Sequence, residues 1–317
     1  MPPVNRNKPV RAIGSDSSYS VMEFMREFPD DRACLDWLWR DLYSPDGDRA
    51  ICPKCKAERT FHRVMSRPSY SCAKCGHHIH PTAGTIFHKS STSLQLWFYA
   101  IFMMSSTRCG ISAKQLEREI GVTYKTAWRM FHLIRRLLQD DDPDIHKLRG
   151  GVEMDEAWFG GRYRGGALRR YSNKTAVFGM VERGGRVVAT TVENVNKATL
   201  YPHIIKRVLP SATIYTDEAG HYKELGKSYG YEHKRIQHSL EIYVAGDTHT
   251  NTIEGFWSLV KRGISGVYHS VSAKYLQSYL DEYSYRYNHR NDTRAMFEGL
   301  LRNVDRLRVS DRRLADA

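Results

Sequence analysis

Two sets of residues in this 317-residue chain have the types and spacing to do chemistry. The first is built on thiols. Cys52-Pro53-Lys54-Cys55 and Cys72-Ala73-Lys74-Cys75 stand sixteen residues apart, a C-x2-C-x16-C-x2-C pattern. Each short turn delivers two thiolates to one edge of a tetrahedron, and a hairpin between them returns the second pair, which is the spacing of a structural zinc site. Lys54 and Lys74, inside the two knuckles, favour the deprotonated thiols that such a site needs. Cys34 and Cys109 lie among apolar residues and read as packed thiols.

The second set is acidic. Asp155 lies in an alternating run, Asp217 closes a short apolar run, and Glu254 lies in a helical run with Lys261 two turns further along the same face. Carboxylates from three separated elements can converge at one end of a sheet and clamp two divalent cations about 3.5–4 Å apart. Hard oxygen ligands suit Mg²⁺ (or Mn²⁺), and such a pair suits in-line attack on a phosphodiester. By spacing alone, Glu153, Glu156, Glu218, Glu241 and Asp247 compete for the same role.

These residues need elements to hold them. Tyr19 to Leu42 reads as one or two helices, and Ser93 to Met104 as a buried apolar helix. In the segment from Ser112 to Met130, Ala113, Leu116 and Ile120 share one helical face. Gly121 supplies a left-handed turn, Thr123 an N-cap, and Val122, Ala127, Met130 and Ile134 continue the apolar stripe. That is a helix-turn-helix pattern, with Trp128 as a core residue. Lys114 on its first helix and Tyr124, Lys125, Arg129, Arg135 and Arg136, facing outward from its second, are the candidate DNA contacts. The acid-rich run Asp140 to Asp144, with Pro143, reads as a linker.

Beyond residue 150 the period changes. Gly151 to Phe159 reads as a strand, Lys174 to Glu182 and Arg186 to Val195 as a hairpin, and Asn196 to Leu209 as a helix with Leu200, Ile204, Ile205 and Val208 inward. Ser211 to Asp217 reads as a strand and Thr250 to Gly263 as a helix. The expected fold is therefore multidomain α+β or α/β, with helices packed on a mixed sheet. The predicted divisions are a helical segment (1–48), a zinc ribbon (49–90), a helix-turn-helix region (91–140), a catalytic domain (150–300) and a basic tail (301–317).

Charge points to the partner. The formal net charge is +13. Residues 16–48 hold nine acids and three bases, whereas residues 49–136 hold fifteen bases and three acids. A basic block that coincides with the cysteine pairs and the helical hairpin is suited to a polyanion such as double-stranded DNA. The longest unbroken apolar run, Leu96 to Met104, has nine residues, too few for the roughly 20 that span a bilayer. No secretory leader is visible at the start, so a membrane or secreted protein is disfavoured.

The segment His249-Thr250-Asn251-Thr252-Ile253-Glu254-Gly255-Phe256-Trp257-Ser258-Leu259-Val260-Lys261-Arg262 resembles the signature of zinc-ribbon insertion-sequence transposases, the ISXO-like group of bacterial DDE transposases. So do Gly266-Val267-Tyr268-His269 and the stretch from Tyr279 to Asn288. Met154-Asp155-Glu156 with Phe159-Gly160-Gly161 resembles that family's first acidic motif, and Tyr215-Thr216-Asp217 its second. Both cysteine pairs match, as do Ala83 to Phe87 and Gly110 to Ala113. Lys56-Ala57 follows the first knuckle where a glycine is usual, while the second knuckle keeps Gly76. The arginine-rich loop from Arg162 to Arg170 matches no signature.

The resemblance implies a ribonuclease H-like catalytic domain behind a zinc ribbon and a helix-turn-helix. Asp155, Asp217 and Glu254 would be the metal-binding triad and Lys261 the accompanying basic residue. It further implies an enzyme that binds the terminal inverted repeats of its own element, hydrolyses the strand there and directs the freed 3′-hydroxyl onto target DNA. The expected setting is the bacterial cytoplasm and nucleoid, with a multimer assembled on DNA. Two alternatives stay open: a domesticated DNA-binding regulator without catalysis, and a structure-directed DNA nuclease of the same fold.

Overall fold

The computed structural model describes residues 19–107, 109–138, 147–161, 174–217, 219–236, 249–291 and 293–304. The acidic run at 140–144, the arginine-rich loop at 162–170, and Glu218, Glu241 and Asp247 lie outside these residues. The chain forms two compact units: residues 1–106, 116–137 and 289–317 make the first, and residues 107–115 and 138–288 the second.

The first unit begins with two short helices, α1 (Val21–Glu27) and α2 (Asp31–Leu42). Ser20 and Glu23 form a reciprocal capping box on α1, and Asp30 caps α2 by accepting the N–H of Ala33 at 2.8 Å. Four antiparallel strands follow in the order β1 (Arg49–Cys52), β2 (Ala57–Val64), β3 (Ser69–Cys72) and β4 (His78–Ile79). Trp39 of α2 fastens the helix to this ribbon. Its ring stacks on Tyr70 with centroids 4.1 Å apart, and its indole N–H donates to the carbonyl of Gly47 at 2.8 Å.

The apolar stretch predicted as a buried helix is α3 (Leu94–Ser106), with Trp97, Phe98, Ala100 and Ile101 all buried. The predicted hairpin of helices is α4 (Ala113–Ile120), which the boundary between the units crosses, and α5 (Tyr124–Arg136). Gly121 has φ +67°, the left-handed turn read from its type, and Thr123 caps α5 by accepting the N–H of Thr126 at 3.3 Å.

The second unit is a five-stranded mixed sheet. Its strands are β5 (Gly151–Gly160), β6 (Lys174–Glu182), β7 (Val187–Val192), β8 (Thr213–Thr216) and β9 (Glu232–Arg235), in the order β7-β6-β5-β8-β9. The β5-β6 and β6-β7 pairs are antiparallel, and the β5-β8 and β8-β9 pairs are parallel. Alternation along β5 sends Val152 and Met154 to one face, into a core with Leu200 and Ile204 of α6 (Lys197–Arg207) and with Tyr222 and Leu225, the latter opening the short α7 (Leu225–Tyr229). Ile205, expected inward, is 47% exposed, because five residues on from Leu200 it lies about 140° round the helix, outside the face that buries Leu200, Tyr201 and Ile204.

The other face receives Ala157 and Phe159, packed with Ile253, Phe256, Trp257 and Val260 of α8 (Asn251–Gly263) and with Leu276, Leu280 and Tyr283 of α9 (Ala273–Asn288). Two amide side chains of α9 cover the edge strand β7. Asn288 pairs with both main-chain groups of Val187, at 2.7 and 3.1 Å, and Gln277 accepts the N–H of Thr191 while donating to the carbonyl of Ala189. That edge is therefore closed to further strand pairing. The last helix, α10 (Thr293–Arg302), returns to the first unit, where Phe297 meets Phe24 and Phe28 in an aromatic cluster.

Candidate functional site

The parallel register of β5 and β8 pairs Gly151 with Thr213, Val152 with Ile214 and Glu153 with Tyr215. Two residues beyond the last pair, on each strand, stand Asp155 and Asp217. They are thus neighbours at the same level, just where β8 leaves the ladder. Alternation places Glu153, Asp155 and Ala157 on the face that α8 covers, and α8 carries Glu254 in its first turn. The Asp155 carboxyl is pushed up to about 7, first by burial and then by the negative charges of Glu156, Asp217 and Glu254 around it, although the Glu156 N–H pulls the other way. The structure therefore brings Asp217 and Glu254 within electrostatic reach of Asp155.

Glu153 has a different job. Its fully buried carboxylate accepts the N–H groups of Thr252 and Ile253 at 2.8 and 3.1 Å and the Thr252 hydroxyl at 2.9 Å. These are the free N–H groups at the start of α8, so Glu153 caps that helix from a neighbouring strand. Arg183 donates to Glu153 at 2.8 Å and to the His249 carbonyl at 2.7 Å, with its guanidinium 3.8 Å from the Tyr215 ring centroid. His249 Nδ1 stands 3.2 Å from the same carboxylate without forming a hydrogen bond.

Glu156 points to the opposite face, where the Tyr222 hydroxyl donates to its Oε1 and His221 Nε2 meets the same atom at 3.0 Å. Two acids that competed by spacing are thus committed to other partners.

Gly179 lies cross-strand from Asp155, and a Cβ there would come within 2.3 Å of the Trp257 ring. The missing side chain lets α8 settle on the sheet beside Asp155. Thr250, buried at the start of α8, donates to Glu254 Oε1 at 3.2 Å. Sequence reasoning missed Glu153, Gly179 and Thr250 as positioning groups. An isolated glycine inside a strand was the one local signal available. Lys261 is exposed on the same side of α8 as Glu254, with Ile253, Phe256, Trp257 and Val260 buried opposite.

The four cysteines meet at the other candidate centre. Their sulfur atoms lie within 4.8 Å of one another, with Cys52 and Cys75 3.6 Å apart. A tetrahedral zinc with bonds of about 2.3 Å spaces its sulfurs about 3.8 Å apart, so the residues fit the ion. Burial opposes ionisation of Cys72, but the N–H groups of Cys75 and Lys74 hold its thiol to about 7. The His77 N–H pulls Cys75 down, yet burial and the neighbouring sulfurs push it up to about 12. A dication at the centre resolves that conflict.

The two knuckles turn alike. Lys56 (φ +52°) and Gly76 (φ +68°) each donate their N–H back to the first cysteine of the pair, at 2.8 and 2.9 Å. The departure at Lys56 is accommodated by a left-handed lysine. Cys34 is buried as expected. Cys109 is exposed instead of packed; its carbonyl, not its thiol, is the group that Tyr283 meets, accepting the Tyr283 hydroxyl at 2.8 Å.

Among the described residues, the cysteine quartet is the group of three or more donors that closes to within 4.8 Å. The acidic groups do not close to that distance. Their donor set fits divalent cations for an electrostatic reason: a partly buried carboxylate surrounded by other acids is stabilised in its charged form by a cation.

Of the candidate DNA contacts, Lys114, Tyr124, Lys125 and Arg129 are exposed and Arg136 is half-buried. Arg135 is corrected. It is 4% exposed, with its guanidinium 5.7 Å from the Phe131 ring centroid, because it falls on the inward stripe with Phe131 and Ile134. Trp128 is half-buried and stacked on His132.

Residues 147–288, which contain all three acids, match the ISXO2-like transposase domain. An uncharacterised protein of the transposable element ISH50 of Halobacterium salinarum is 31% identical over 255 residues, 74% of this chain and 84% of that protein. The chain belongs to the ISXO2-like transposase family.

A shorter, uncharacterised transposase-like protein of Haemophilus influenzae is 32% identical over 103 residues, 32% of this chain and 81% of its own length. A chain of the simian T-cell lymphotropic virus intasome solved with a PP2A regulatory subunit aligns at 15% identity and a TM-score of 0.28. That alignment covers 58% of this chain and 65% of the other, a likeness too slight to carry an argument. Family membership makes this a transposase-type protein, with DNA as its class of partner and divalent metal use implied. No helix among the described residues is long and apolar enough to cross a membrane.

Proposed function

We propose that this transposase binds the inverted repeats at the ends of its own insertion sequence and catalyses phosphodiester hydrolysis and strand transfer there. The observation that carries the reading is the meeting of Asp155, Asp217 and Glu254, from β5, the end of β8 and α8, where burial, and after it the charges of Glu156, Asp217 and Glu254, push the Asp155 carboxyl up to about 7. A ribonuclease H-like fold is supported by the sheet order, in which three antiparallel strands are extended by two parallel ones from the side of the first.

Asp155, Asp217 and Glu254 would hold two Mg²⁺ or Mn²⁺ ions. When bound, such ions supply the activation of water or of a 3′-hydroxyl and the charge to stabilise the leaving oxygen. The protein's own residues do the rest. Glu153 holds the start of α8 against β5 and so fixes where Glu254 stands, Thr250 orients the Glu254 carboxylate, and Lys261 meets a phosphate oxygen of the strand being cut. Hydrolysis breaks one phosphodiester bond and frees a 3′-hydroxyl, whose attack on target DNA forms one phosphodiester bond and breaks another.

Recognition falls to the zinc ribbon held by Cys52, Cys55, Cys72 and Cys75 and to the helix-turn-helix, with Lys114, Tyr124, Lys125, Arg129 and Arg136 as DNA contacts. Cutting both ends together calls for a multimer on DNA, working at the nucleoid in the cytoplasm. The decisive experiment incubates the purified chain with labelled DNA flanking its own gene, with Mg²⁺ or Mn²⁺, beside Asp217→Asn. Nicks at a fixed boundary and products joined to target DNA, both lost in the variant, are expected. Tight end binding without cleavage would instead make it a regulator, and cleavage of branched DNA without regard to terminal sequence would make it a structure-directed nuclease.

A further inference from the structure

Beyond Glu153 and Tyr215, the last pair of the β5-β8 ladder, no main-chain pairing between these strands holds Asp217 beside Asp155. Two neighbouring carboxylates repel, so this end of the sheet is where the strands would be driven apart. A side-chain clamp takes over at that point. The turn Gly220–Tyr222 begins three residues after Asp217, and two of its residues reach back to β5. His221 Nε2 meets Glu156 Oε1 at 3.0 Å, and the Tyr222 hydroxyl donates to the same oxygen. A carboxylate only accepts, which assigns the proton of the first bond to Nε2.

The clamp is enclosed. The Glu156 side chain is 5% exposed and Tyr222 is fully buried. Asp217 is itself tied to the segment that leads into the turn, since its Oδ1 accepts the N–H of Ala219 at 3.0 Å. Glu156, a further acid beside Asp155 and Asp217, adds repulsion and would be unfavourable without a role. Its two donors supply one.

We propose that Glu156 and His221 are positioning residues that set the separation of Asp155 and Asp217, and thereby the affinity of the acidic site for divalent cations. The inference rests on the reading of Asp155 and Asp217 as ion-binding residues. Neither Glu156 nor His221 is assigned to the ions themselves.

The test is Mn²⁺ binding to the zinc-loaded protein by calorimetry, with thermal unfolding followed in parallel. Residues that support metal ligands from behind typically change affinity 10–100-fold, and His221→Ala is expected to weaken Mn²⁺ binding by roughly 10-fold. His221→Gln, which keeps an N–H donor, should recover most of it. Tyr222→Phe keeps the buried ring and removes one donor, and serves if His221→Ala fails to fold. A purely structural role would lower the unfolding temperature and leave the Mn²⁺ affinity of the folded protein unchanged, which would overturn the proposal. Asp217→Asn separates the two readings. If it binds Mn²⁺ like the parent, the ion-site reading itself fails. If it loses binding while His221→Ala and Tyr222→Phe bind normally, the clamp alone fails.

Discussion

Glu153 accepts the main-chain N–H of Thr252 at 2.8 Å across 99 residues of sequence. The bond joins the strand that carries Asp155 to the helix that carries Glu254, so the position of one acid fixes the approach of the other. Glu153→Ala would leave the half-buried Arg183 without its carboxylate and the α8 N–H groups without an acceptor. A loss of about 3–5 kcal/mol in the unfolding free energy of this unit is expected, read from its urea midpoint. Glu153→Gln, which still accepts, should lose less.

Asp155 makes stability depend on pH. Its folded pKa of about 7 lies above the ordinary carboxylate value of 3.8, so between those values the folded state keeps a proton that the unfolded state releases. Without added divalent ions, stability should therefore fall as pH rises through that window. Asp155→Asn should remove this fall, raising the melting temperature at pH 8 by roughly 2–4 °C for each kcal/mol that burial and repulsion of the charged carboxylate cost and changing little at pH 4. Adding Mg²⁺ at pH 8 should raise the melting temperature of the parent and have a smaller effect on the variant.

Zinc removal should dissolve the ribbon. Elemental analysis should find one zinc per chain, and a strong chelator should abolish the signal of the β1-β4 sheet in circular dichroism, as should Cys72→Ser. Within the ribbon, Lys56→Gly should stabilise by about 0.5–1 kcal/mol, because the glycine adopts the left-handed turn without the steric cost that a lysine meets at φ +52°. Thermal unfolding of the zinc-loaded protein reads this directly.

Basic residues on α5 should separate by burial. Arg129→Ala and Lys125→Ala, at exposed positions, should weaken binding to DNA of any sequence and reduce the log-log salt slope by about 0.9 for each phosphate that is no longer neutralised. Arg135→Ala should instead lower stability by about 1–3 kcal/mol and leave the salt slope unchanged. A salt titration of binding beside thermal unfolding distinguishes the two behaviours.

The cysteine quartet was legible in the residues because a zinc knuckle is local: two ligands three positions apart and one turn between them. The strands, helices and the α5 cap were legible for the same reason, since periodicity and capping act within a few residues. Arg135 was misread because outward and inward positions on a short helix differ by one residue of phase. What only the tertiary structure decided is the division of labour among the acids. Alternation separates Glu153 and Asp155 from Glu156 but does not say that α8 covers the first two, or that His221 and Tyr222 meet the third. Hydrogen bonds and Coulomb forces depend on distance in space, and between residues 99 positions apart that distance exists only once the sheet and its helices have packed.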